Sequence, residues 1–173
     1  HRDRPRLRLC AALAITVSVG HSGHVAAKPT IDEIESMLPQ EPRSLGRPID
    51  DRQAWDPLAA TENGRQAVQK AADLLEQPLA EFDRNLYMEY FDNGNRSRYQ
   101  AYEEQRWARL RTLVLGELLE NRGRFITGIE QAIASLCRGP SWVLPAHDRS
   151  AVIVEGKAQY VDLSAAMRAH DLA

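Results

Sequence analysis

Cysteine is scarce in this chain: Cys10 and Cys137 are the two present among 173 residues. A framework of several disulfides is therefore excluded as the source of its stability. Histidine is also sparse. His147 and His170, the two beyond the N-terminal stretch, stand in no ligand spacing with each other or with cysteine. No His-Glu-x-x-His, Cys-x-x-Cys or EF-hand loop occurs, so no metal site and no cofactor is expected. A glycine-rich phosphate loop and a Gly-x-Ser-x-Gly turn are missing too, and no catalytic residue is assigned. A formal net charge of −2 and a pI near 6.2 leave no electrostatic footprint for nucleic acid.

What the chain does contain is an ordinary globular balance. Its 43% hydrophobic and 27% charged residues suit one domain with a sizeable core, not a disordered segment. The charge is unevenly spread. Arg2, Arg4, Arg6 and Arg8 face only Asp3, and an apolar run from Leu9 to Val19 and the small residues Val25-Ala26-Ala27 follow. Residues 1–27 therefore read as a secretory signal peptide, too short in its apolar run to span a bilayer. The expected location is periplasmic or extracellular, with no membrane attachment after cleavage. Cys137 would then be the sole cysteine, most simply a packing residue. The chain opens on His1 and stops at Ala173 within a helical pattern, so it reads as a fragment of a longer protein.

Residues 28–60 read as lead-in and connector. Thr30-Ile-Asp-Glu33 is a capping box for a short helix to Leu38. Pro39, Pro42, Pro48 and Pro57 predict an extended stretch over 39–58. From Thr61 to about Gln77 the spacing of Val68, Ala71, Ala72 and Leu75 predicts a helix, ended by Pro78. Leu79 and Phe82 lead through a short turn to an aromatic cluster of Tyr87, Tyr90 and Phe91, and Asp92-Asn-Gly-Asn95 predicts another turn. A long helix over Ser97–Asn121 follows, with Trp107, Leu110, Leu113, Val114 and Leu118 on one face and Glu103, Glu104, Arg109 and Arg111 mostly elsewhere. Gly123 is its natural cap. A partner helix runs from about Arg124 to Leu136, its apolar face formed by Phe125, Ile126, Ile129, Ile133 and Leu136. The short link forces the pair antiparallel. Beyond Gly139-Pro140, residues 151–161 read as a small β-hairpin around Glu155-Gly156-Lys157, and Asp162 caps a final helix.

Three constellations hold chemistry. The loop carrying Trp142, His147 and Asp148 sets an aromatic face, an imidazole and a carboxylate within seven residues. Such groups suit a sugar ring and its hydroxyls. The simpler local reading makes Trp142 a plug and His147 an exposed loop residue. Arg96, at the entrance of the long helix, suits bidentate binding of a carboxylate, and reads most simply as a turn arginine. Glu117, Glu120, Arg122 and Arg124 read as a solvated helix end.

With these residues in view, the stretch from about 60 to 173 resembles the heparinase II/III-like family of polysaccharide lyases. The matching residues are Gly94-Asn-Arg96-x-x-Tyr99, Arg106 with Leu110, and Leu113-Val-Leu-Gly-Glu117-x-x-Glu120-x-x-Gly123-Arg-Phe125. Ile129, Ile133 and Trp142-Val-Leu-Pro-Ala-His147 extend the match, and Val161-Asp-Leu-Ser-Ala-Ala166 resembles the next helix. The resemblance implies a mainly α fold, with residues 61–173 forming an incomplete α/α toroid of antiparallel helical hairpins. It also implies an acidic polysaccharide or oligosaccharide substrate, cleaved by β-elimination beside the uronate carboxyl group. The Tyr and His that serve as base and acid in such lyases belong to motifs later than this loop. Trp142, His147 and Arg96 are thus expected to bind substrate only, and the fragment is expected to be inactive alone.

Two other readings differ in class. Leu115-Gly116, Leu119, Gly123, Ala132 and Pro140 approach the pattern of a tetratricopeptide-like interaction module, but no second copy occurs at its spacing of about 34 residues. A glycoside hydrolase on the same toroid architecture is the third, because fold alone does not fix reaction type.

Overall fold

A computed structural model describes residues 30–37 and 46–172. The expected signal peptide, residues 1–27, lies outside the described residues, as do Cys10 and the first part of the expected connector. The chain divides into two compact units, His1–Pro42 and Arg43–Ala173. In the first, helix α1 (Ile31–Met37) forms as its capping box predicts: the Thr30 amide donates to Glu33 Oε2 at 2.7 Å and the Glu33 amide to Thr30 Oγ1 at 3.2 Å.

The second unit is mainly α. Its helices are α2 (Arg52–Ala59), α3 (Glu62–Leu75), α4 (Arg84–Asn93), α5 (Ser97–Glu120), α6 (Ile126–Arg138) and α7 (Leu163–Leu172). Two of them are absent from the sequence reading. Helix α2 replaces the later part of the expected extended connector. Asp51 caps it by accepting from the Ala54 amide, and Pro57 falls late enough in its eight residues to cost a single hydrogen bond. Helix α4 replaces the short aromatic turn. Asp83 accepts from the Asn85 and Leu86 amides at 2.9 and 3.0 Å, and Gly94, at φ 75°, ends the helix in a left-handed cap.

Helices α3, α5 and α6 form the centre. Ala71 on α3 meets Gly116 on α5, while Arg109, earlier on α5, reaches the Gln77 and Pro78 carbonyls after α3 at 3.0 and 3.1 Å. The reversed order makes α3 and α5 antiparallel. Helix α6 is antiparallel to α5 by the same logic: Arg106 bonds Ser135, Leu113 lies beside Gly128, and Gly116 beside Phe125. The α5–α6 hairpin expected from the short link is present.

Small residues set how closely these helices approach. A Cβ at Gly116 would lie 2.5 Å from the Ala71 Cβ and 3.2 Å from the Phe125 ring; one at Gly128 would lie 2.7 Å from Leu75 Cδ2. The buried stripe of α6 is accordingly Gly128, Ala132, Ser135 and Leu136, while Ile126 and Ile133 are left exposed, contrary to their expected core positions. Val114 on α5 is exposed likewise. Cys137, expected as packing, is exposed and free. Gly116→Val is expected to destabilise the chain by about 1–3 kcal/mol by overpacking the α3–α5 contact. Urea denaturation measures it, and an unchanged midpoint would contradict the tight packing.

The link between α5 and α6 is built on Glu117, not on a solvated charged end. Its carboxylate is buried and accepts from the Gly123 amide at 2.6 Å and the Phe125 amide at 3.0 Å. A negative charge there also favours the start of α6. Asn121, at φ 51°, takes the capping position expected for Gly123, which is itself left-handed two residues later in the link. Arg52 on α2 donates to the Leu118 and Leu119 carbonyls at 2.8 and 3.1 Å, satisfying the open end of α5.

Candidate functional site

The stretch 141–162 leaves α6, makes two single 3₁₀ turns (Pro145–His147 and Arg149–Ala151), and returns to α7. No β-strand occurs among the described residues, and the expected hairpin at 151–161 is replaced by 3₁₀ and turn structure. Asp148 gives the reason. Only 2% exposed, it accepts from the Ile153 amide at 2.9 Å and the Val154 amide at 3.1 Å. Those are amides that a strand would offer to a partner.

Tyr87 of α4 donates its hydroxyl to Asp148 at 3.0 Å, with the Val143 carbonyl 3.3 Å away. Burial, reinforced by the adjacent Asp148 carboxylate, holds this phenol far above the ordinary tyrosine range. Its ring contacts Tyr99 edge-on at 4.9 Å, and Ala151 and Val154 close over the pair. Ser150 and Ala151, at φ 57° and 59°, sit in the left-handed region that non-glycine residues avoid. The loop accepts that strain to bring two amides onto one carboxylate.

The trio singled out in the sequence does not converge. Trp142 turns inward: its indole N–H donates to the Leu136 carbonyl at 2.9 Å, and its ring meets Trp107 edge-on at 5.7 Å. Asp148 turns into the Tyr87 cluster. His147 alone faces outward, with its side chain 42% exposed. Arg96 is exposed at the start of α5, one turn from Tyr99 and so at the end of the hairpin that carries the loop. Its side chain has no hydrogen-bonding partner among the described residues, and the fold does not bring it into contact with Trp142 or His147.

The carboxylate that does meet His147 comes from fifteen positions later. His147 Nδ1 lies 2.5 Å from Asp162 Oδ2. Asp162 is held in turn: its Oδ1 accepts from the Ala165 amide at 2.7 Å, which is the expected cap of α7, and Oδ2 lies 3.4 Å from the Leu144 amide. Tyr160 fixes the backbone beside it, donating to the His147 carbonyl at 2.7 Å and accepting from the Arg149 amide at 2.8 Å. Sequence reading finds Asp162 only as a helix cap. A second role for its other oxygen has no signature in local spacing.

A cavity of about 360 Å³ lies elsewhere, between α3, α5 and α6, and is lined by Lys70, Gln77, Arg106 and Arg109 among others. Arg109 spends two of its donors there on the carbonyls that follow α3, and desolvation lowers its pKa. No group of three metal-ligating side chains is assembled among the described residues, and none of their helices is long and apolar enough to cross a membrane. No protein-family model and no curated protein matches the sequence. The chemical content of the site is thus its own geometry: a solvent-facing imidazole, braced by a carboxylate and a phenol, on a loop fixed from below by Asp148.

Proposed function

We propose that the chain is an early part of the helical domain of an exported, heparinase II/III-like polysaccharide lyase. Its substrate class is uronic-acid-containing polysaccharide, cleaved by β-elimination, and residues 61–173 form part of an α/α toroid. The observation that carries this reading is the ordered set of resembling residues from Gly94 to His147, which follows α5, α6 and their loop without interruption. The antiparallel pairing of α5 with both α3 and α6 agrees with hairpins that wind into a toroid. In this reading His147 and Arg96 face the substrate, and Trp142 holds the loop of His147 against Trp107. The base and acid of the elimination are supplied by sequence following residue 173. The repeat-module alternative is not carried forward, because α5 has 24 residues and α6 has 13, an uneven pair already longer than a repeat of about 34.

The protein extended through its following sequence is expected to raise ultraviolet absorbance from unsaturated uronate ends when given uronate polymers. The 173-residue chain alone is expected to give none. His147→Ala should lower kcat/KM of the extended protein by about tenfold, the value of one lost hydrogen bond. New reducing ends without the absorbance rise would replace elimination by hydrolysis. No product from several uronate polymers would overturn the reading.

A further inference from the structure

We infer that Asp162 is a positioning residue for His147, fixing the neutral imidazole with its proton on Nδ1 and Nε2 open to solvent as an acceptor. The argument is one of donors and acceptors. A neutral imidazole carries one N–H and one bare nitrogen, and the hydrogen bond at one nitrogen decides the state of the other. Asp162 Oδ2 is an acceptor and lies 2.5 Å from Nδ1, so Nδ1 must donate. Nε2 is left without a partner among the described residues, on a side chain 42% exposed.

The arrangement is a built one. The Asp162 side chain is only 9% exposed, and its Oδ1 is committed to the Ala165 amide. Its position is therefore set by the start of α7, not by the imidazole. Tyr160 holds the His147 carbonyl and the Arg149 amide, which fixes the backbone that leaves the histidine, on each side of Asp148. Asp148, the next residue, is anchored in the core through Tyr87, Ile153 and Val154. An exposed loop residue with no task needs none of this bracing; preorganisation of this kind is what a binding or catalytic group requires.

An outward Nε2 acceptor selects a hydroxyl donor. Resting on the polysaccharide reading above, that donor is a sugar hydroxyl, and Asp162 determines that the neutral form of His147 recognises the hydroxyl, not the carboxylate, of a uronate residue. The uronate carboxylate is an acceptor and finds no donor on the neutral imidazole in this tautomer.

Asp162→Asn tests the assignment while keeping the cap of α7, because Asn caps helices as well as Asp; it gives up only the long 3.4 Å contact from the Leu144 amide. With its carbonyl oxygen kept on the Ala165 amide, its NH₂ group faces Nδ1. The polarity of the bond reverses, and the proton must move to Nε2. Nitrogen NMR of the 173-residue chain at alkaline pH reads the tautomer directly. We expect a protonated Nδ1 in the unmodified chain, a protonated Nε2 in Asp162→Asn, and no change of tautomer in Tyr160→Phe. A protonated Nε2 in the unmodified chain, which needs no variant to fold, would overturn the inference; so would an unchanged tautomer in folded Asp162→Asn. A uronate trisaccharide is then added. It should shift the Nε2 signal of the unmodified chain and bind about tenfold more weakly to Asp162→Asn, the value of one hydrogen bond. If the tautomers behave as expected and the trisaccharide shifts nothing, the sugar-hydroxyl assignment and the polysaccharide reading fall while the positioning role stands.

Discussion

Glu103→Ala is expected to cost about 3–5 kcal/mol of stability, the largest effect of any single substitution proposed for this chain. Glu103 and Arg106 are an ion pair one turn apart on α5, at 2.8 Å, with side chains 5% and 3% exposed. Both carboxylate oxygens are used. Oε2 takes the Arg106 guanidinium and Oε1 accepts the Trp107 indole N–H at 2.9 Å. Arg106 continues the network across three elements, donating to the Ala80 carbonyl at 3.1 Å and to Ser135 of α6 at its carbonyl and hydroxyl. Removing the carboxylate leaves a guanidinium out of water with only the more distant Glu81 carboxylate, reached through Ser135, as counter-charge, and an indole N–H with no acceptor. The penalty is that of an orphaned charge and exceeds the net worth of the pair. The double substitution Glu103→Leu with Arg106→Met should therefore recover part of the loss, since it removes both charges together. Urea denaturation of the two variants decides the matter. A loss below about 1 kcal/mol for Glu103→Ala would mean that water reaches Arg106 and that the network is not dry.

Asp148→Ala is expected to cost nearly as much, about 3–4 kcal/mol, and to act more locally. Its carboxylate is the acceptor for the Tyr87 hydroxyl and for the Ile153 and Val154 amides. Each buried donor left unmade costs on the order of 1–3 kcal/mol, reduced where the loop can open to water. Opening also releases the left-handed backbone of Ser150 and Ala151, so relaxation of this loop is the path of least cost. Hydrogen exchange should show rapid loss of protection at Ile153 and Val154 while the centres of α3 and α5 stay protected. Asp148→Asn, which keeps one acceptor oxygen for the Ile153 amide, should cost about half as much. Equal exchange in the wild type and Asp148→Ala would show that the carboxylate does not hold the loop.

These two carboxylates also mark where reading the sequence stops working. Glu103 falls among the charged residues expected off the core face of α5; its partners Arg106 and Trp107 lie one helical turn on, but the pair is buried because Arg106 also meets Ala80 and Ser135, which no helical period connects to it. Asp148 reads as a loop carboxylate beside His147, suited to a ligand. In the fold the pair splits, Asp148 inward and His147 outward, because Tyr87 of an unforeseen helix supplies a buried donor. Val152-Ile-Val154 carries the β-branched composition of a strand, yet two of its amides are taken by Asp148, which leaves nothing for a partner strand to pair with. Of the three candidate binding residues, His147 is outward and braced, Arg96 is outward and unbraced, and Trp142 packs edge-on against Trp107 while staying partly exposed.

The sequence by itself determined the features whose causes lie within one or two helical turns. The capping box at Thr30 and Glu33, the starts of α3 at Thr61 and of α7 at Asp162, and the α5–α6 hairpin are all of this kind. Caps and periodicity act between residues three or four apart, so they are visible in the order of the residues. Tertiary structure alone decided which polar groups go inside, which way each loop residue faces, and that Asp162 meets His147. A charge is buried only where donors and acceptors from distant elements converge to replace its water, and that convergence exists only once α4, α5, α6 and the loop have packed.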